Sequence, residues 1–340
     1  MHTRGVSGVV KRTAFIAIVV LFMGRLYAQV KVEQLNYRGW DESYRITNGL
    51  VEVIVVPKIG RIMSYRFVDG ENILWENEKW FGKLRRDAKP NEWANFGGDK
   101  VWPAPQAQWN EVMGRSWPPD EAFDGGECTA IELQDGVELV TPVSPHYGAW
   151  LVREIRLSAD SSKLIIKQRL EKLRLPLVEM LIWSVTQIRS PDLVIMPLSR
   201  ESKFEKGYTV LSKAEPEYCK REGDFLLLRR DPKKATKVGA DSKECWLASF
   251  HGDVVFIQRA QYREHEVYPD GGCTIEVYTN PDELPYVELE LMSPIFKLGL
   301  GEEARFDISW ELHKLKFVPQ NDSERLQVIK ELIYRSEPPN

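Results

Sequence analysis

Metal-ligand spacing is missing from this chain. Its 340 residues include only four cysteines and five histidines. No cysteines stand as C-x-x-C and no histidines as H-x-H or H-E-x-x-H, so no metal site can be read and no cofactor is expected. Cys128, Cys219, Cys245 and Cys273 can pair in any of three connectivities in an oxidising compartment, or remain buried thiols. A basic stripe is missing too. The net charge of -4 comes from interspersed signs, which excludes a nucleic-acid footprint. No repeat, low-complexity segment or linker divides the sequence. No helical period separates its apolar runs, which excludes alternating βα units.

What is present begins with a leader. Lys11 and Arg12 precede an apolar run, Thr13–Gly24, too short to span a bilayer comfortably. Leu26-Tyr27-Ala28 ends on a small residue, so cleavage before Gln29 is expected, with an uncleaved anchor as the alternative. Residues 29–340 are then a single exported domain, periplasmic or extracellular, and no later segment is apolar enough to span.

That domain alternates with period two. Tyr44–Val56 reads as two strands about an Asn48-Gly49 turn. Ile62–Val68, Ile73–Trp75, Cys128–Leu133, Val137–Val143, Trp150–Leu157 and Lys163–Leu170 follow. Leu181–Ile188, Val194–Pro197, Phe225–Arg229, Cys245–Phe250 and Val254–Arg259 continue the pattern. Cys273–Tyr278, Tyr286–Met292 and Arg305–Leu312 complete it. The fold class is all-β, an antiparallel sandwich. One helix is expected at the C-terminus, capped by Asn321-Asp322-Ser323, with Leu326, Ile329, Leu332 and Ile333 as a stripe against the outside of the sandwich.

Two regions carry candidate chemistry. The first is Asn95–Asp124, where Trp102, Trp109 and Trp117 lie among prolines, Gly97-Gly98 and the carboxylates Asp99, Glu111, Asp120, Glu121 and Asp124. This composition suits neither helix nor strand. A long loop that spends indoles builds a binding surface, or its indoles plug the core. Indole faces beside carboxylates suit a sugar, which has apolar C–H faces and hydroxyl edges. Gly97-Gly98 is expected to bring Asp99 close to a neighbouring segment or a sugar.

The second region is Tyr286–Met292. Alternation sends Val287, Leu289 and Leu291 into the layer between sheets and Glu288 and Glu290 to the other face. Pairing with Cys273–Tyr278 would add Glu276 and Tyr278 to that face. Carboxylates this close raise one another's pKa, as a general acid or base requires. A solvated outer face is the alternative. His146 and His265 sit on rim loops, as candidate acids or plain surface residues.

Val51–Phe67 (VEVIVVPKIGRIMSYRF) and Val277–Leu312, with its carboxylate strand, Leu–Gly–Glu turn and terminal Trp strand, resemble the first and last strands of galactose-mutarotase-like proteins. The motif GGDKVWPAPQ with the following WPPD is similar to that of an uncharacterised bacterial family, a domain of unknown function placed in that superfamily. The resemblance implies a β-supersandwich of roughly eighteen or more strands that binds carbohydrate on a concave sheet face. In aldose 1-epimerases a late-strand glutamate takes the anomeric proton and a histidine protonates the ring oxygen. Glu288 matches the glutamate, with Glu290 the next candidate. Leu181–Ile188, where the epimerase pattern has Asn-His, offers Ser184, Thr186 and Gln187 instead.

The functions that follow are an exported sugar-active enzyme of epimerase type, a carbohydrate-binding module without chemistry, or a structural envelope domain. Candidate sugar contacts are Arg61, Asp99, Trp102, Gln106, Trp109, Trp117, His146, Gln187 and Glu276. The expected partner is a carbohydrate, and the expected state a monomer. Glu288, Trp102 and a histidine converging in one cleft would favour the enzyme, and a cleft with Trp but no acid within reach the binding module.

Overall fold

The computed structural model describes residues 29–103 and 105–334, so the leader expected at 1–28 lies outside them. Among the described residues, twenty-three strands form two large antiparallel sheets and one two-stranded ribbon. The first sheet has ten strands. Its middle runs Arg61–Phe67, Asp99–Pro103, Ile182–Arg189, Tyr286–Met292, Ile275–Thr279 and Thr236–Ala240, side by side. The second sheet has eleven. The inward residues of the first sheet, Val53, Val55, Val287, Leu289 and Leu291, share one apolar layer with Leu151, Ile155, Ile166, Phe256 and Trp310 of the second. This is the sandwich that period-two patterning dictates, since each sheet must bury one face.

Among the described residues, no helix is long and apolar enough to cross a membrane. The C-terminal helix, Asp322–Tyr334, forms as expected. Asn321 Oδ1 caps it by accepting from the Glu324 amide at 3.0 Å. Leu326, Ile329 and Ile333 press on Leu193, Ile195, Phe225 and Trp246, the outer face of the second sheet.

Several expectations change. Ile73–Trp75 makes a single bridge, Leu74 to Ile188, rather than a strand. Lys31–Tyr37, Cys219–Glu222 and Thr236–Ala240 are strands that apolar alternation did not reveal, because polar residues and glycine dominate them. The segment 95–124 is not one loop. Asp99–Pro103 is a central strand and Trp109–Met113 a short helix. All four cysteines are free. Burial pushes the Cys128 and Cys245 thiols up to about 12, so they act as small apolar groups.

The entry to Asp99–Pro103 explains Gly97-Gly98. Residues Trp80, Ala94 and Phe96 cover part of the outer face of the first sheet, over Trp40, Ile54 and Met63. The chain must then drop into the sheet. Gly97 and Gly98 take φ of +91° and +69°, and a Cβ on them would strike the carbonyl oxygens of Trp75 and Ile62.

One acid-sensitive group lies at a strand end. His251 Nε2 sits 3.1 Å from Ser249 Oγ. Burial, helped by Arg189, holds His251 down from 6.5 to about 4. The unfolded chain therefore takes this proton first as pH falls, and stability is lost between about pH 6.5 and about pH 4. His251→Gln is expected to flatten this part of the acid dependence. Urea midpoints of both proteins at several pH values across that window check it. An equal fall in the two would rule His251 out.

Candidate functional site

Five neighbouring strands present one continuous outer face, and register decides what stands on it. Trp183 lies opposite Trp102 and Val185 opposite Lys100. Gln187 pairs with Glu288 and Val185 with Glu290. Glu290 pairs with Glu276 and Glu288 with Tyr278, so the hairpin expected from the two runs does form. Lys237 pairs with Tyr278. Indoles, carboxylates and ammonium groups thus share the face opposite to Val287, Leu289 and Leu291.

Over this face opens a cleft of about 690 Å³. Trp93, Trp102, Trp117 and Trp183 wall one side, Tyr278 and Tyr286 the other, with Glu288, Glu290 and Lys237 as floor. The indoles brace one another edge-on. Trp102 and Trp183 meet at 5.1 Å and 84°, and Trp93 and Trp117 at 5.0 Å and 74°. The cleft beside the C-terminal helix is slightly larger, about 720 Å³, but no indole lines it.

The charges of the floor are internally paired. Glu288 Oε1 accepts from Lys100 Nζ at 3.1 Å and from Gln187 Nε2 at 3.0 Å. Lys100 is wholly buried, and its ammonium also lies 4.9 Å above the Trp102 ring. Burial holds Lys100 below the ordinary lysine range, against the pull of Glu288. Lys237 Nζ stands 2.5 Å from Glu276 Oε2 and 2.9 Å from Glu290 Oε2, over the Trp183 ring. Burial works against the Lys237 charge, yet Glu276 and Glu290 outweigh it and hold its pKa up. Glu276 is raised well above the usual carboxylate range, by burial first, and Glu290 is raised by burial too. One ammonium faces two buried carboxylates, so burial favours the protonated form, at Glu276 most of all.

The sugar contacts expected from sequence divide sharply. Trp102, Trp117 and Gln106 line the cleft with Glu288 and Glu290. Gln187 lies directly behind Glu288, fully buried, and Glu276 is reached only through Lys237. The others stand elsewhere. Asp99 points between the sheets, where it pairs with Arg153 and accepts from Thr186 Oγ1 at 3.0 Å. Of the two neighbours left open for Asp99, it meets the protein segment. Arg61 is buried under the loop, where Nη1 donates to the Gly97 carbonyl and Nη2 pairs with Asp124. Trp109 is fully buried, bonded to the Pro103 carbonyl, and belongs to the core. His146 sits in a turn closed by Ser144 Oγ. Among the described residues, no histidine lines the cleft.

Three of the loop carboxylates, Asp120, Glu121 and Asp124, are anchors for the same reason. Asp124 holds Arg61 and the Trp93 indole, Asp120 holds Ser144, and Glu121 holds Arg115. Buried charges persist only when paired. Lys100, Lys237, Trp93 and Trp183 were not foreseen. Trp183 had a readable signal, since it alternates with Val185 and Gln187 in a recognised strand. Lys237 had none, because TKVGA does not read as a strand.

Sandwich and sheet order form a galactose-mutarotase-like β-sandwich fold. The solved structures agree. A galactose mutarotase related enzyme from Lactobacillus acidophilus superimposes with a TM-score of 0.53 at 10% identity, over 82% of this chain and 99% of that one. A candidate aldose 1-epimerase from Escherichia coli K12 gives 0.53 at 12% identity, over 84% and 100%. Galactose 1-epimerase from Lactobacillus acidophilus NCFM gives 0.50 at 10% identity, over 84% and 99%. At such identities the likeness establishes the fold. Residues 42–313 match the model of the domain of unknown function DUF4380, and the chain belongs to that family. No match was found among curated proteins.

Proposed function

We propose that the protein is an exported carbohydrate-binding protein of the galactose-mutarotase-like type, and that the sugar lies in the indole-walled cleft. One observation carries this reading. The cleft joins flat aromatic walls to a polar floor and keeps an unspent hydrogen-bonding atom. Trp102, which lines the cleft, has its Nε1 buried without a partner. Unpaired buried polar groups cost free energy, so such an atom marks where a ligand hydroxyl completes the set. The C–H face of a sugar ring then covers an indole. The leader expected from the sequence at 1–28 supports export to the periplasm or the outside, and the lining of the cleft by one chain supports a monomer.

The test is a glycan-array screen of residues 29–340, followed by saturation-transfer NMR on any hits. Transfer to ring C–H protons is expected, and Trp117→Ala is expected to abolish it. Absence of binding to every mono- and oligosaccharide tried would sink the reading and favour a structural envelope role. Glu288 lines the same cleft as Trp102, but among the described residues no histidine joins them, so the binding reading is preferred to the enzymatic one.

A further inference from the structure

We propose a second sugar subsite on the same sheet face, in a cleft of about 460 Å³ beside the indole-walled one, and with it a ligand class, a neutral oligosaccharide whose chain crosses from one cleft to the other. This rests on the sugar-binding reading above. It goes beyond that reading in requiring more than one sugar ring.

Register puts the two clefts side by side. Arg189 lies directly opposite Tyr286 on the neighbouring strand, so both stand on the outer face. Arg189 lines the second cleft and Tyr286 the first. Trp75 also lines the second, and its ring packs on Tyr286 with centroids 4.7 Å apart and planes at 38°. The partition is therefore two aromatic rings thick, and a single pyranose cannot reach around both. It is held from below. The Trp75 amide donates to the Gln187 carbonyl at 2.9 Å, and the Trp75 carbonyl accepts from the Gly98 amide at 2.8 Å. The Gln187 side chain donates at the same time to Glu288, on the floor of the first cleft. One residue thus positions the partition and the floor together.

The second cleft repeats the ingredients of the first, ring faces beside hydrogen-bonding groups. Tyr37, Trp75 and Phe81 supply the rings, and Arg38, Ser64 and Glu76 the polar atoms. Arg38 is poised for a ligand. Its guanidinium lies 5.1 Å above the Phe81 ring and 5.7 Å from that of Tyr37. Glu76 Oε2 is 3.7 Å away, beyond hydrogen-bond reach. The Arg38 side chain is 52% exposed, so its N–H groups can donate to hydroxyls that enter the cleft. Its backbone holds φ at +54°, in the left-handed region where a residue other than glycine is strained, and such strain is retained at ligand clamps.

Charge decides the class of ligand. Glu52 accepts from two nitrogens of Arg66, at 3.1 and 2.8 Å, and Glu71 from Arg189 at 2.7 Å. Glu76 accepts from the Tyr37 hydroxyl at 2.9 Å and faces Arg38. Every arginine of this cleft already faces a carboxylate, so no surplus cation calls for a phosphate, sulfate or uronate. Uncharged hydroxyls are the partners that fit.

Calorimetry with xylo-, cello-, malto- and β-1,4-galacto-oligosaccharides, each from mono- to hexasaccharide, tests the span. In a series that binds, affinity is expected to rise about tenfold or more once the chain is long enough to enter both clefts. Arg38→Ala and Phe81→Ala are each expected to remove that rise, and Trp117→Ala to weaken binding at every length. Thermal melts show whether the variants fold. Phe81 also packs on Trp40, so Arg38→Ala, at an exposed side chain, decides the matter if Phe81→Ala unfolds early. Affinity that is flat with chain length, or a rise that survives Arg38→Ala, overturns the second subsite and leaves the sugar-binding reading standing. Tighter binding of oligogalacturonates than of neutral chains overturns the neutral class. Absence of any binding overturns the subsite together with the sugar-binding reading.

Discussion

Arg153→Met is expected to lower the unfolding free energy by about 3–5 kcal/mol, the range for breaking a buried ion pair from one side. Arg153 reaches across the sandwich to Asp99, and both side chains are buried. Without the guanidinium, the Asp99 carboxylate keeps only the Thr186 hydroxyl. Asp99→Leu in the same protein is expected to restore much of the loss, because an apolar pair of similar volume needs no charge compensation. The Nε and Nη1 atoms of Arg153 have no partner even in the native protein, which makes the apolar replacement more favourable. Urea unfolding of the three proteins measures this, with unchanged slopes as the sign that the denatured state is not at issue. A loss below about 1 kcal/mol for Arg153→Met would mean that water or a neighbouring group replaces the bridge. Sugar affinity should not change in Asp99→Asn, since Asp99 faces away from the cleft.

Trp109→Ala and Trp117→Ala are expected to fail in opposite ways. Trp109 is wholly buried and stacks under Trp117 at 5.9 Å and 27°. Its removal should cost about 3–5 kcal/mol, the transfer term plus the cavity left behind. Trp117 is 39% exposed and lines the cleft. Its removal should cost about 1 kcal/mol in stability and most of the sugar affinity. Thermal melts and sugar titrations on both variants separate the two roles. Trp109→Ala at wild-type stability, or Trp117→Ala at wild-type affinity, would contradict this division of the indoles.

The two indoles also show where reading the chain reached its limit. Both lie in one proline-rich stretch, eight positions apart, and composition treats them alike. Only the short helix Trp109–Met113 turns the first inward. Asp99 is the sharper case. Every residue of Asp99–Pro103 is buried, so the strand has no polar-out alternation from which its facing can be read. The expectation that Asp99 addresses a ligand was reasonable for a loop and wrong for a central strand.

Tyr286–Met292 behaved differently. Its strict alternation of Glu with Val and Leu told which residues enter the core, because a period of two on a sheet with one apolar face leaves a single solution. The same physics announced the all-β class and the terminal helix, whose apolar stripe has a period that only a helix can bury. These features are local, and the amino-acid sequence by itself determined them. The partners of the carboxylates are not local. Lys100 lies 188 positions from Glu288, and Lys237 reaches Glu276 and Glu290 from a strand too polar to announce itself. Which ammonium neutralises which carboxylate depends on the order and register of strands in the sheet. That order is set by long-range packing of apolar faces, and only the tertiary structure decided it.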